Sequence, residues 1–398
     1  MNTDFFIEFI RFYNKIMQGA LSNFFTSVLF YERSYVMKQA WMFLLIFAMS
    51  FLNAVELEIW VVQDTAKDAL KPAISAFEKD FPEHKVLVLV DEKEHIVQKA
   101  QMLKEKGADI VVWGHDIIGK CIADDFVVPV EMKEDLKETL VPESVDAVMS
   151  EEKYWGYPRN LEFISLMYRK DKVDEKDLQG DFAQLVAKYP CSWDITNWYF
   201  TFPFFGKGFT SCESVLKGIQ GEQFKKNTKD FASLLPYLPK DANADTTEAG
   251  FISGKYAIMV SGPWTHAKIK ANGVDFGVIP LSNFTLGGDG LRPFLGVQTF
   301  LLNRYRNNWD LAKLLIEKYI LNPENQVASY AIDPRIPSTK KALEELGISK
   351  IEGIPMPKNP STFVMWDIME KFLKALVKDG ISEKIFDDAE NKLKLSDK

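Results

Sequence analysis

The sequence predicts an α/β protein built on a parallel sheet. Short apolar runs alternate with amphipathic stretches from residue 55 onward. In the first run, Leu57, Ile59 and Val61 alternate with acidic residues, which is the period of a half-buried strand. An order of strand, helix, strand, helix, strand places successive strands in parallel, with helices on the sheet faces. The predicted strands and helices are, in order, 55–62, 66–80, 85–90, 92–106 and 110–112.

The later part of the chain continues this alternation. Strands are expected wherever an apolar run is bounded by Gly, Pro or charged residues, and helices wherever apolar residues recur every three or four positions. The further strands are predicted at 163–168, 255–260, 276–279 and 296–302, and the further helices at 308–320, 337–346 and 361–395.

Length and composition limit the classes of protein that fit. A chain of 398 residues is too long for one typical core, so two domains are expected. The hydrophobic fraction of 47% and the charged fraction of 26% are those of an ordinary globular protein. The net charge is −8 and lysines are interspersed with acids, which argues against nucleic acid as a partner.

Cysteine and histidine spacing predicts neither a metal site nor a cofactor. The three cysteines lack CxxC spacing, and none of the four histidines forms an HxxxH pair. Cys191 and Cys212 are compatible with one disulfide in an oxidising compartment, which would leave Cys121 free. Three buried thiols are the alternative.

The segment 37–54 has the pattern of a secretory signal peptide. A basic residue is followed by about a dozen apolar residues and then by Ala54, after which we predict cleavage. The apolar run is short for a membrane span. Residues 1–36 precede this segment, so we interpret them as an extension created by a start codon assigned upstream of Met37. The alternative is an uncleaved membrane anchor.

Aromatic residues and carboxylates follow or flank the predicted strand ends. The apolar run 257–260 stops at Ser261-Gly262-Pro263, which turns the chain and places Trp264 just beyond a strand end. Ligands of open α/β sheets bind outside the carboxyl ends of strands. Asp64, Trp113 and Asp116 also follow predicted strands, and Glu162 precedes one. Tyr199 in the second half of the chain and Trp366 on the last predicted helix add two further aromatic residues.

This set of side chains suits a sugar. Planar rings stack on the apolar faces of pyranoses, while carboxylates accept hydrogen bonds from vicinal hydroxyls. Three structural interpretations stay open: Asp64 as a helix cap, Trp113 as a core residue, and His115 as a hydrogen-bonded structural residue. Arg159 is expected to brace the hinge or to pair with a nearby acid.

The ordered motifs resemble the periplasmic maltose/maltodextrin-binding protein family. The resemblance covers about 55–398, and it rests on the order and spacing of motifs that are weak one by one. The matching segments are 57–64, 77–80, 109–116, 157–170, 199–203, 243–246, 262–264 and 356–366.

The resemblance implies a two-lobe periplasmic-binding-protein fold (type II) that closes on its ligand by a hinge. The first lobe would comprise 55–160 and 300–335, and the second 161–299 and 336–398. It implies a monomeric, non-enzymatic protein of the periplasm that delivers a maltodextrin-like oligosaccharide to the permease subunits of an ABC transporter. The implied ligand-binding residues are Asp64, Trp113, Asp116, Glu162, Tyr199, Trp264 and Trp366.

Several polar positions depart from the family pattern. Thr65 stands in place of a Lys, Ile117 and Glu370 each stand in place of an Arg, and Asn197 stands in place of a carboxylate. Thr65, Asn197 and Glu370 are therefore secondary site candidates, and the ligand need not be maltose.

Two other functions remain alternatives. One is a binding protein of the same fold for a non-sugar solute such as a polyamine or an anion. The other is a secreted glycoside hydrolase that uses two carboxylates. Aromatic residues at strand ends favour binding over cleavage.

Overall fold

The computed structural model describes residues 54–91, 96–359 and 362–396. The predicted N-terminal extension and nearly all of the predicted signal peptide lie outside the described residues. The strands are β1 (Glu56–Val61), β2 (Lys85–Val90), β3 (Ile110–Gly114), β4 (Met149–Ser150), β5 (Lys153–Tyr154), β6 (Tyr157–Glu162), β7 (Ser165–Arg169), β8 (Gly180–Asp181), β9 (Cys191–Ser192), β10 (Ile258–Ser261), β11 (Phe276–Ile279), β12 (Phe284–Leu286), β13 (Asp289–Gly290), β14 (Phe294–Leu302), β15 (Ile336–Pro337) and β16 (Ile354–Pro355).

Helices fill most of the intervening sequence. They are α1 (Asp64–Asp80), α2 (Ile96–Leu103), α3 (Ile118–Ala123), α4 (Glu134–Thr139), α5 (Pro142–Val148), α6 (Phe182–Lys188), α7 (Trp198–Phe205), α8 (Cys212–Lys217), α9 (Glu222–Ala232), α10 (Ala244–Ile252), α11 (His266–Ala271), α12 (Trp309–Leu314), α13 (Pro323–Ile332), α14 (Lys340–Leu346), α15 (Thr362–Asp379) and α16 (Glu383–Ser396). Helix α12 continues directly into a π-helical turn, Leu315–Ile320.

A seven-stranded sheet organises the first part of the chain. Its order is β15-β6-β14-β3-β1-β2, and β16 also pairs with β14. Strand β1 is parallel to β2 and to β3, which confirms the predicted parallel arrangement. Strand β14 runs antiparallel to both β3 and β6, so the sheet as a whole is mixed.

A four-stranded sheet organises the middle of the chain. Its order is β11-β7-β10-β9. Strand β7 is antiparallel to β10 and to β11, whereas β10 and β9 are parallel. Two small sheets, β13-β12-β8 and β4-β5, are peripheral to these.

The chain passes from one large sheet to the other within two residues. Strand β6 ends at Glu162 in the seven-stranded sheet, and β7 begins at Ser165 in the four-stranded sheet. The predicted strand 163–168 therefore begins too early, because Phe163 and Ile164 form the crossover between the two sheets. The residues before them, Tyr157–Glu162, form a strand of their own, β6. An apolar run does not reveal that its strand partners change halfway.

Two large apolar clusters form the core. One includes Leu57, Ile59, Phe77 and Phe300 and lies on the seven-stranded sheet. The other is exceptionally aromatic and covers the four-stranded sheet together with α7, α9 and α15. Most of the phenylalanines in the described part of the chain are therefore explained by packing. For example, the ring centroids of Phe202 and Phe294 are 3.5 Å apart.

Helix boundaries correct three sequence expectations. Gln63 occupies the N-cap of α1, so Asp64 is the first helical residue and not the cap; its carboxylate still favours the positive end of the helix dipole. Helix α13 was not predicted, although Asn322 and Pro323 at its start are a typical N-terminal signal. The predicted helix 361–395 is two helices, which separate at Gly380, where φ is 81°.

The three cysteines are free thiols, and all are buried. Cys191 and Cys212 therefore do not form the disulfide that the sequence left open. Burial raises the pKa of each thiol, which makes these residues unreactive packing groups. No helix in the described part of the chain is both long enough and apolar enough to cross a membrane.

Candidate functional site

Four aromatic rings, carried by α7, β14, α15 and the turn after β10, form a cluster. Tyr199 is central: its ring centroid lies 6.1 Å from that of Trp264, 6.2 Å from that of Phe294 and 6.5 Å from that of Trp366. Phe294 and Trp366 are themselves 5.6 Å apart in an edge-to-face arrangement. The structure thus brings together three of the predicted ring residues, and all of these separations lie within the range of favourable aromatic pairs.

The turn after β10 fixes the position of Trp264. The strand ends at Ser261, and Gly262-Pro263 leads into a short helical turn that carries the tryptophan. The ring folds back over the backbone of Gly262: a Cβ atom at this position would lie 2.0 Å from Trp264 Cζ3. Glycine is required here because of this close approach, and not because of its conformational freedom.

Tyr199 is positioned by a helix cap. Asn197 is the N-cap of α7, and its Oδ1 accepts a hydrogen bond of 2.9 Å from the backbone N–H of Tyr199. Asn197 therefore supports the site through the backbone. The Tyr199 hydroxyl oxygen is buried and has no hydrogen-bond partner among the described residues. Burial, reinforced by the negative charge of Glu162, raises the pKa of this hydroxyl well above its ordinary value.

Asp116 joins the cluster through Trp366. The indole Nε1 of Trp366, on α15, donates a hydrogen bond of 3.2 Å to Asp116 Oδ2, just beyond β3. A Cβ atom at Gly114 would lie 2.6 Å from the other oxygen, Asp116 Oδ1. The carboxylate therefore folds back over the end of β3, at the position that the sequence predicted for it.

Glu162 lies at the end of β6 and is almost completely buried, with 7% of its surface exposed. Gln298, on β14, donates a hydrogen bond of 2.7 Å from Nε2 to Glu162 Oε1. The other oxygen, Oε2, accepts from Nε of Arg335. Glu162 is thus a fixed, charge-paired acceptor and not a solvated charge.

Arg335 connects Glu162 to three further groups. Its Nη1 donates to Asp333 Oδ2, and its Nη2 donates a hydrogen bond of 2.6 Å to Gln63 Oε1. Its Cζ lies 5.8 Å from the ring centroid of Trp264, within cation–π range. Burial alone would lower the pKa of Arg335, but the carboxylates of Glu162 and Asp333 outweigh it and raise the pKa above its ordinary value.

Among the described residues, no ring contact, hydrogen bond or ion pair joins the remaining predicted residues to the four rings. Trp113 is half-buried against the core of the seven-stranded sheet, and its carbonyl accepts a hydrogen bond of 2.9 Å from Thr299 Oγ1. Asp64 is exposed at the start of α1, and Thr65 follows it with a buried hydroxyl that has no partner among the described residues. Glu370 forms an ion pair of 3.7 Å with Lys374 on the same helix.

Sequence reasoning missed several residues of this site. Phe294 supplies a fourth ring, and Gln298, Arg335, Asp333 and Gln63 supply the polar network around Glu162. Gln63 directly precedes the predicted Asp64, so the sequence correctly indicated that the end of β1 contributes to the site. The others lie in segments without a distinctive motif.

His115 confirms its structural interpretation. It is 1% exposed, its Nδ1 accepts a hydrogen bond of 3.1 Å from Val297 N–H, and its Nε2 lies 3.0 Å from the carbonyl oxygen of Met356. These partners require a neutral ring with the proton on Nε2. Burial lowers the pKa of His115 to about 4, so the ring stays neutral at physiological pH. Arg159 is also accounted for, because its Nη2 lies 3.4 Å from Asp333 Oδ2.

Residues 73–367 match a family described as bacterial extracellular solute-binding protein. The chain belongs to this family. The match includes the four-stranded sheet, every strand of the seven-stranded sheet except β1, and all four rings of the cluster. The predicted resemblance to solute-binding proteins is therefore confirmed.

Relatives of the chain carry saccharide-binding names. A maltotriose-binding protein of Pyrococcus abyssi is 26% identical over 303 residues, which is 69% of this chain and 66% of the relative. A galactooligosaccharide-binding protein of Bacillus subtilis is 25% identical over 338 residues, or 77% of this chain and 78% of the relative. A maltodextrin-binding protein of Bacillus subtilis is 23% identical over 352 residues, or 78% of this chain and 83% of the relative.

Proposed function

We propose that the protein binds an oligosaccharide at the cluster formed by Tyr199, Trp264, Phe294 and Trp366. One observation carries the proposal: three of the four predicted rings converge on one place, and two predicted carboxylates, Asp116 and Glu162, border it. Rings supply stacking surfaces and carboxylates supply hydroxyl acceptors, which together are the chemistry that a sugar requires. The names of the relatives support the same class of ligand.

The proposed architecture has two lobes, one on each large sheet. Three segments would join them: the crossover after Glu162, the first half of β14, and the chain after β16. In support, Phe294 at the start of β14 packs in the apolar cluster on the four-stranded sheet, whereas Phe300 packs in the apolar cluster on the seven-stranded sheet. The sequence placed 336–398 in the second lobe. Since β15 pairs with β6, we propose that the last change of lobe comes later, near β16.

The proposed mechanism is closure of the lobes on the ligand. A solute that contacts both lobes only in the closed form shifts the population toward that form without any covalent step. His115 supports two of the proposed connecting segments, since it bonds to Val297 and to Met356. The closed form would then deliver its ligand to membrane permease subunits of an ABC transporter, as a monomer in the periplasm.

The charges around the cluster favour an uncharged saccharide. The three acids Asp116, Glu162 and Asp333 outnumber the two arginines Arg335 and Arg159, so an acidic sugar or another anion would meet excess negative charge. Hydrolysis is disfavoured because Glu162 is engaged by both Arg335 and Gln298, whereas a glycosidase needs a carboxyl group able to donate a proton. Because of this excess of acidic groups, a polyamine is the alternative ligand against which the saccharide should be tested.

A thermal-shift screen tests the proposed function. Purified protein is heated with maltotriose, galactotriose, spermidine or galacturonate. A ligand at a hundredfold excess over its Kd stabilises the native state by about 2.7 kcal/mol, so a neutral oligosaccharide should raise Tm by a few degrees. Stabilisation by spermidine alone would overturn the sugar assignment, and steady release of reducing sugar from maltodextrin would overturn the binding-only role.

A further inference from the structure

One buried side chain contacts two of the predicted sugar-binding residues at once. The guanidinium of Arg335 donates to the Glu162 carboxylate and lies over the ring of Trp264. Its side chain is 3% exposed, and hydrogen bonds to Asp333 and Gln63 fix its plane. The donors Nε, Nη1 and Nη2 each serve a different acceptor, so the group cannot rotate without breaking several bonds.

We infer that Arg335 is a positioning residue of the proposed saccharide site, holding the Glu162 carboxylate and the Trp264 ring in one fixed arrangement. The inference rests on the proposed function. The Glu162 carboxylate, as hydrogen-bond acceptor, and the Trp264 ring, as stacking surface, are then coupled through Arg335 and do not act independently.

The fold explains why one residue can reach both groups. Arg335 lies between α13, which packs on α1, and β15, which pairs with β6 in the seven-stranded sheet. Trp264 follows β10 in the four-stranded sheet. The guanidinium therefore links elements of the two large sheets at the point where their chains approach.

Arg335 also supplies a positive charge to a site that lacks several basic residues expected from the family resemblance. Thr65, Ile117 and Glu370 stand at positions where the resemblance predicts Lys or Arg. A buried carboxylate requires a partner, and Arg335 satisfies Glu162 from a different segment of the chain. The planar fork of arginine, unlike the point charge of lysine, can bind two carboxylates and lie over a ring at the same time.

The arrangement restricts which ligand groups Glu162 can accept. Gln298 and Arg335 each take one lone pair, on different oxygens, and every carboxylate oxygen has a second. Arg335 and Gln298 together fix the orientation of those remaining lone pairs. A ligand hydroxyl that donates to Glu162 therefore meets an acceptor held by the same arginine that lies over Trp264.

The test is a double-mutant cycle in the full chain, with affinity measured by calorimetry for maltotriose and galactotriose. The variants are R335Q, R335K, W264A and R335Q/W264A. The control is R306Q, since Arg306 donates two hydrogen bonds, 2.8 and 3.1 Å long, to the buried carboxylate of Asp109 just before β3. We expect R335Q to weaken affinity about tenfold and R335K to recover part of the loss. We expect R306Q to lower Tm while leaving affinity within about twofold of wild type.

The coupling between Arg335 and Trp264 in this cycle decides whether the inference holds. If Arg335 positions both groups, the double variant loses at least about fivefold less affinity than the product of the single losses. Independent, multiplying losses, or an R335Q variant that binds as tightly as wild type, would overturn the inference. If the wild type binds neither trisaccharide, the proposed function fails separately. The same cycle in urea unfolding then tests Arg335 alone, and additive free energies of unfolding would overturn its coupling to Trp264.

Discussion

The aromatic side and the charged side of the candidate site are built in different ways. Tyr199, Trp264 and Trp366 pack ring against ring on the core of the four-stranded sheet, and each ring touches several others. On the other side, Glu162 and Arg335 each depend on specific partners at hydrogen-bond distance. Apolar contact is non-directional, whereas a buried polar network is stable only if all of its members are satisfied.

The difference predicts unequal sensitivity to substitution. Loss of Trp264 or of Trp366 leaves the remaining rings of the cluster in contact with each other. Loss of one charge leaves another charge buried without its partner, which is far more costly than the pair itself is stabilising. The charged side should therefore dominate stability. The aromatic side should contact a ligand directly, while Arg335 acts on affinity through the positions of Glu162 and Trp264.

The largest expected effect is from Glu162→Ala. Removal of this carboxylate leaves Arg335 buried with Asp333 as its remaining acidic partner, so we expect the free energy of unfolding to fall by about 3–5 kcal/mol. Urea unfolding at pH 7 measures it. The matched control is Glu383→Ala, because Glu383 pairs with Lys225 but is 75% exposed. If both variants lose the same small amount of stability, the charged side is not the sensitive one.

The second effect is a pH dependence from His115. Its pKa is lowered by burial from 6.5 to about 4, so the unfolded chain binds a proton in this window that the folded protein does not. Stability is therefore retained above pH 6.5 and is lost as the pH falls toward 4, by up to roughly 3 kcal/mol from this residue.

His115→Gln isolates that contribution. Glutamine removes the titrating group, so the loss of stability between pH 7 and pH 4.5 should be smaller in the variant than in the wild type, whatever the variant costs at pH 7. Unfolding free energies at the two pH values provide the comparison. Equal losses in the two proteins would show that His115 is not held neutral by the fold.

The aromatic side could be predicted from sequence, and the charged side largely could not. Trp264 follows a strand and a Gly-Pro turn, which is a local signal, and its partners Tyr199 and Trp366 lie in segments that resemble a known family. Arg335 pairs with Glu162 across 173 positions, and nothing near either residue indicates the other. Pairing over such a distance is a property of tertiary packing.

The same distinction applies to the fold. Strands β1 to β3 and the helix between the first two were predictable because each has a local period. The change of sheet at Phe163 was not, because it depends on what the chain packs against. The break at Gly380 has a local signal, a glycine after the last helical residue, which the prediction of one long helix overlooked. Asn197 illustrates a mixed case: it was predicted near the site, but it acts as a cap for the helix that carries Tyr199.

The smallest expected effect is also the most direct test of ligand binding at the rings. Calorimetric titration with maltotriose and galactotriose at pH 7 would compare the wild type with Trp366→Ala and with the control Trp309→Ala. Trp309 packs on the apolar cluster of the seven-stranded sheet, and its Nε1 donates a hydrogen bond of 2.9 Å to the Asn303 carbonyl oxygen. We predict that Trp366→Ala loses about 1 kcal/mol, or about fivefold in Kd, and that Trp309→Ala leaves Kd unchanged. Unchanged affinity in the Trp366 variant, or equal losses in both, would contradict saccharide binding at this cluster.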